Sequence, residues 1–178
     1  MSFNRVELGQ ICSFQEGYVN PSQKVPGYFD GDIRWLRAVD LNEAEVFETS
    51  RTLSHAGYSS AGKSAYMFPA NTIGISKSGT IGRLGILRNP MCGNRAVINI
   101  APNEPNDLRY IFYALKMCRH EIISKAVGSV QKNLYVSALS TLEINWPEQE
   151  VRESIVAAIS CIDDKIAINK RANDYLAA

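Results

Sequence analysis

Thr72-Ile73-Gly74-Ile75-Ser76-Lys77-Ser78-Gly79-Thr80-Ile81-Gly82-Arg83-Leu84-Gly85-Ile86-Leu87 holds two short apolar runs, Thr72–Ser76 and Leu84–Leu87, around a polar, glycine-bearing centre. Residues with β propensity on both sides of two turn-forming glycines predict two strands joined by a tight turn. The glycines also invite a phosphate-loop reading, because backbone N–H groups in such turns cradle anions. The spacing excludes a nucleotide site. A Walker loop needs G-x-x-x-x-G-K-[ST] ahead of a helix, and a dinucleotide fingerprint needs G-x-G-x-x-G between strand and helix, whereas strand-like sequence lies on both sides here. The turn presents Lys77, Ser78, Thr80 and Arg83 together, side chains suited to phosphate oxygens or base edges.

Outward from this hairpin, further strand-like runs occur at Ile33–Val39, Ala96–Ile100 and Leu142–Trp146, each bounded by Gly, Pro, Asn or Asp. Two long polar stretches, Gln15–Asp32 and Asn42–Ser64, separate them and are expected to be extended binding loops on a rigid scaffold. After Pro105-Asn106-Asp107, the residues Leu108, Ile111, Phe112, Leu115, Cys118 and Ile122 recur at helical spacing and predict one helix packed on the sheet. Tyr110, Tyr113 and His120 on that helix are ordinary core-edge or surface residues. The class is α+β: a β-rich body with packed helices, occupying residues 1–147.

Residues 148–178 differ in kind. From Pro147 the chain carries no Gly or Pro, and Glu148 and Glu150 sit at the positive end of a helix dipole, so one unbroken helix is predicted. Ile155, Ile159, Ile162, Ile166, Asn169, Asn173 and Leu176 follow one another at spacings of four and three, a heptad seam. At ~1.5 Å per residue the helix spans roughly 45 Å, more than this small body covers, so a partner helix is implied and a homodimer is expected when no other half is supplied. Asn169 and Asn173 are the polar seam pair that sets register. No capping residue follows Leu176, and the helix is expected to continue in a longer natural protein.

Composition bounds the rest. With 178 residues, 46% hydrophobic and 21% charged, the chain suits one globular domain plus an added element. No membrane span and no N-terminal apolar leader is legible, so a cytoplasmic location is expected. Cys12, Cys92, Cys118 and Cys161 stand singly, which argues against disulfides and zinc and for small buried apolar side chains. Net charge is only +1, but its distribution is uneven. No acid lies between Glu48 and Glu104, where Arg51, Lys63, Lys77, Arg83, Arg88 and Arg95 fall, or between Glu121 and Glu143, where Lys125 and Lys132 fall. Basic runs rich in Ser, Thr and Asn suit a surface that meets phosphate. Catalytic constellations are absent from the sequence. His55 and His120 stand without a nucleophile, no G-x-S-x-G elbow occurs, and Asp30/Asp32 and Asp163/Asp164 read as turn and helix-surface charges.

Several stretches, in order, carry a resemblance. Val6-Glu7-Leu8-Gly9-Gln10-Ile11-Cys12 leading to Gly17, then Gly31-Asp32-Ile33-Arg34-Trp35-Leu36, then Phe68–Arg83 with its Gly79-Thr80-Ile81-Gly82 resemble the specificity subunit of type I restriction-modification systems. Asn94-Arg95-Ala96-Val97 and Gly128-Ser129-Val130-Gln131-Lys132-Asn133-Leu134 are similar to that family's "N-Q-A-V" and "G-S-x-Q-x-x-L" elements. Ile144-Asn145-Trp146-Pro147 opens a helix whose Ile162-Asp163-Asp164-Lys165-Ile166 looks like its "D-x-x-I" pattern, although Pro147-Glu148-Gln149-Glu150 departs from the usual "P-P-x-x-E-Q". The resemblance implies one target-recognition domain over 1–147 and one conserved dimerisation and spacer helix over 148–178, half of a two-domain subunit with antiparallel helices. It implies double-stranded DNA as ligand, read at one half of a bipartite target. The basic and polar residues expected to meet that DNA are Lys63, Lys77, Ser78, Thr80, Arg83, Ser129, Gln131, Lys132 and Asn133. It implies methyltransferase subunits, and through them restriction subunits, as partners. S-adenosylmethionine, ATP and magnesium would belong to those partners, so no cofactor, metal or catalytic residue is expected here. Two other readings are the recognition part of a fused restriction-methyltransferase, although no N-P-P-Y or D-P-P-Y segment occurs, and a pure assembly adaptor.

Overall fold

The computed structural model describes residues 4–129 and 131–176; Val130 of the last loop motif and the extreme ends of the two expected segments lie outside the described residues. In chain order the elements are β1 (Arg5–Glu7), α1 (Leu8–Ile11), β2 (Cys12–Glu16), β3 (Phe29–Leu36), β4 (Glu45–Val46), β5 (Thr52–Leu53), α2 (His55–Ser59) and β6 (Met67–Phe68). They continue as β7 (Thr72–Ser76), β8 (Leu84–Leu87), β9 (Met91–Gly93), β10 (Val97–Pro102), α3 (Leu108–Met117), α4 (Arg119–Ser124), α5 (Val136–Ser140), β11 (Glu143–Asn145) and α6 (Gln149–Leu176). The mixed class read from the sequence is the one observed.

The β7–β8 hairpin forms the middle of a five-stranded sheet of order β2-β10-β7-β8-β4. Side chains alternate across a strand, so Ile73, Ile75, Leu84, Ile86, Ile98 and Ile100 share one face, and all are buried beneath α3, where Ile111, Phe112 and Leu115 meet them. On the other face Gly74 opposes Gly85. A Cβ on either would stand 3.0–3.1 Å from Leu41 Cδ2, so the absent side chains let the segment after β3 lie directly on the sheet. A second cluster fills this face, with Leu36, Leu41, Val46, Phe68, Leu87, Met91 and Val97. It joins the first sheet to a four-stranded one of order β5-β3-β9-β6. A third cluster under that sheet holds Trp35, whose indole N–H donates to Val19 O at 2.8 Å.

Several expectations change. Residues 108–122 form two helices, because Cys118 (φ −83, ψ 13) opens the turn between α3 and α4 before Ile122 N–H resumes bonding to Cys118 O at 2.9 Å. The stretches Gln15–Asp32 and Asn42–Ser64 are partly regular, since they contain β4, β5 and α2 and the ends of β2 and β3. Side chains hold the irregular parts: Arg34 pairs with Glu48 at 2.7 Å, and Asp40 accepts from the N–H groups of Arg37 and Ser50, each at 2.8 Å. Only Cys12 and Cys92 are buried thiols, both pushed up to about 12 by desolvation, while Cys161 is exposed.

Helix α6 is not left wholly to a partner helix. Its first half lies against α3. Arg152 pairs with Asp107 at 2.9 Å and stacks on Trp146, Tyr113 O–H donates to Asp163 at 2.8 Å, and Val156 and Ile159 pack on the main core.

Candidate nucleic-acid interface

The turn between β7 and β8 is built by Ser76, whose N–H donates to Arg83 O at 2.9 Å and whose hydroxyl accepts from Arg83 N–H at 2.9 Å and donates to Thr80 O. Gly79 and Gly82 take φ of +73 and +82, the left-handed region that a Cβ disfavours. The geometry exposes Thr80 and leaves Ser78 and Arg83 half-buried at the rim.

Lys77 joins this turn to the other loop motifs. Its N–H donates to Ala96 O at 2.8 Å, and its carbonyl accepts from Leu134 N–H at 2.8 Å. Val127 and Asn133 exchange backbone hydrogen bonds of 3.0 and 2.9 Å, closing the loop that displays Ser129, Gln131 and Lys132 to solvent. Asn133 is half-buried, with its side-chain amide donating to Gln131 O at 3.3 Å. Residues 77–83, 94–96, 127–129 and 131–134, far apart in sequence, therefore form one end of the body. Lys63 is not tied to this end: it stands exposed in the short turn Gly62–Ser64 after α2, beside the four-stranded sheet.

The acid-free runs of the sequence do not stay acid-free in space. Lys77 Nζ lies 2.9 Å from Glu16 Oε2, so this ammonium is committed within the protein rather than open to phosphate. Arg88 pairs with Glu45, and so does Arg109 at 2.6 Å. The Glu45 carboxyl is held below its usual range, chiefly by the hydrogen bond from Arg88, against an opposing effect of burial. Of the cations in those acid-free runs, Arg51 bonds to Gln23 and lies over Phe29, and Lys125 bonds to Thr141, while Lys63, Arg83, Arg95 and Lys132 make no ion pair among the described residues and stay open to an anion.

Glu16 and Tyr18 lie inside the expected binding loop Gln15–Asp32, but sequence reasoning singled out neither. Tyr18 O–H donates to Glu16 Oε2 at 3.1 Å, and that hydrogen bond raises the Tyr18 pKa, keeping the phenol protonated. No charge-run signal points to them, because Glu16 reaches the site only through the pairing of β2 with β10.

The seam residues of α6 divide. At about 100° per residue, Arg152, Val156, Ser160, Asp163 and Ala167 form the stripe that faces the body. Ile155, Ile162, Ile166, Asn169, Asn173 and Leu176 centre roughly 110° round from it. Ile159 sits on the border of the two stripes and packs on the core, whereas Ile162, Ile166 and Leu176 are 59%, 47% and 81% exposed. Among the described residues, no group of three or more His, Cys, Asp or Glu could hold a metal ion, and no helix is long and apolar enough to cross a membrane.

Residues 2–178 match the type I restriction modification DNA specificity domain, and the chain belongs to that family. It is 30% identical over 173 residues to the type I restriction enzyme MjaIX specificity subunit of Methanocaldococcus jannaschii, covering 96% of this chain and 39% of that one. A chain solved in a study of complex assembly and conformational transition of the type I R-M system overlays on 96% of it with a TM-score of 0.72 at 19% identity. The type I restriction-modification S subunit from M. genitalium overlays on 94% with a TM-score of 0.68 at 17% identity. The last two likenesses are of fold. The chain spans about two fifths of the length of these relatives, which are covered to 39–40%.

Proposed function

We propose that this chain is a non-catalytic recognition module that reads one half of a bipartite DNA target in the cytoplasm. In this reading residues 1–147 are the target-recognition domain. Residues 148–178 are the helix that pairs with a second half and, with the body, docks methyltransferase subunits and through them restriction subunits. The observation that carries it is the junction at Lys77. Three loop motifs of the specificity-domain family converge there on one end of a rigid sheet, with Arg83, Arg95 and Lys132 unpaired in those segments. Loops fixed in this way can vary in side chain without disturbing the core.

The test is binding to duplex DNA at two salt concentrations. Phosphate contacts release counterions and give a steep negative slope of affinity against salt, which a pure assembly adaptor would lack. No specific observation favours a fused restriction-methyltransferase, since the curated relatives are separate specificity subunits.

A further inference from the structure

A carboxylate beside DNA phosphate is repelled, so one built into a DNA-facing surface requires another role. Glu16 is such a group if the proposed function holds. It ends β2 opposite Ile98, on the sheet face shared with Ile75 and Lys77, and this places it at the turn. Both of its side-chain partners, Lys77 Nζ at 2.9 Å and Tyr18 O–H at 3.1 Å, bond to Oε2. Among the described residues Oε1 accepts no hydrogen bond. The Glu16 side chain keeps 20% of its surface open, and Tyr18 beside it is 43% exposed. Lys77 offsets the charge and Tyr18 fixes the rotamer, so the remaining lone pairs are oriented and their charge is partly compensated.

We propose that Glu16 is a base-reading residue, with Lys77 and Tyr18 as its positioning residues. Its Oε1 accepts from an exocyclic amino group on a base edge in the major groove, that of cytosine N4, the partner a carboxylate takes there. Lys77 is then not a phosphate ligand. This inference rests on the DNA-recognition reading above.

Selection from a randomised duplex library with the wild-type chain, Glu16→Gln and Tyr18→Phe tests it. Wild type enriches cytosine at one position. Glu16→Gln relaxes that preference by at least about tenfold while the other positions keep theirs. Tyr18→Phe weakens the same position by less. A purely structural Glu16 gives a different result: Gln releases Lys77, all sequences bind more tightly alike, the salt slope steepens by about one unit and the motif is unchanged. That outcome overturns the proposal. If Glu16→Gln does not fold, Glu16→Asp, which keeps the charge but withdraws the oxygen by one methylene, weakens the preference at that one position; an unchanged motif with Glu16→Asp overturns the proposal. A wild-type chain that enriches no motif overturns the DNA-recognition reading itself.

Discussion

Replacing Ile162 by Glu separates the two stripes of α6. Ile162, Ile166 and Leu176 are 59%, 47% and 81% exposed in the single chain. Full burial of such side chains contributes about 1.5–3 kcal/mol each. Scaled by those fractions, the three contribute roughly 3–6 kcal/mol per chain and about 6–11 kcal/mol in a two-fold pair. Association costs on the order of 4–15 kcal/mol, which at its favourable extreme leaves about 7 kcal/mol, a homodimer of roughly ten micromolar. Glu at 162 removes two of the buried isoleucines and sets two carboxylates in the seam. Sedimentation at tens of micromolar is expected to find the wild type paired and Ile162→Glu monomeric. The melting temperature of Ile162→Glu should stay near that of the wild-type body, because exposed substitutions lie within about 0.5 kcal/mol. Ile159→Glu, three residues away, places a charge against the main core and should lower the melting temperature clearly. A monomeric wild type refutes the pairing. Equal destabilisation by the two substitutions refutes the division of the helix into two faces.

Further outcomes follow from the interface and the ion pairs. Arg83→Ala and Lys132→Ala should each weaken binding to all duplexes alike and flatten the salt slope by about one unit, measured by fluorescence anisotropy at several salt concentrations. Gly82→Ala should cost about 1–2 kcal/mol in chemical denaturation, because φ of +82 is strained for any side chain. Glu45 has a folded-state pKa depressed below 4.5, so its contribution is full above that pH and is lost as pH falls through the folded value. The stability gap between wild type and Glu45→Gln should therefore close in acid denaturation as pH falls below 4.5.

The parts of the fold legible in the sequence are those whose signal is local. β7 and β8 carry their own apolar runs and turn glycines, and the expected strands Thr72–Ser76 and Leu84–Leu87 are the observed ones. The long helix was legible from its unbroken period, whereas its docking on α3 depends on Arg152, Tyr113 and Asp163, polar residues that a hydrophobic pattern ignores. β1, β2 and β9 are short and take their partners from distant segments, so nothing near them in sequence marks them as strands. The turn and the loop at 127–134 were grouped by motif, and backbone bonds at Lys77 join them. The charge pattern misled at Lys77 and Arg88, because acids from outside the basic runs fold onto both.

The pairing of β1 with β11 has a consequence in time. Arg5 lies opposite Asn145, Leu8 N–H reaches Leu142 O at 2.9 Å, and Trp146 N–H reaches Asn4 O at 2.7 Å. On the ribosome, chain growth at about 5–20 residues per second leaves the segment around β1 without its partner strand for on the order of ten seconds. The β7–β8 hairpin can close long before that. β2, which carries Glu16, completes its sheet only after β10 has emerged. The five-stranded sheet is thus assembled from its centre outward, and the separate two-stranded sheet of β1 and β11 is the last strand pairing to close.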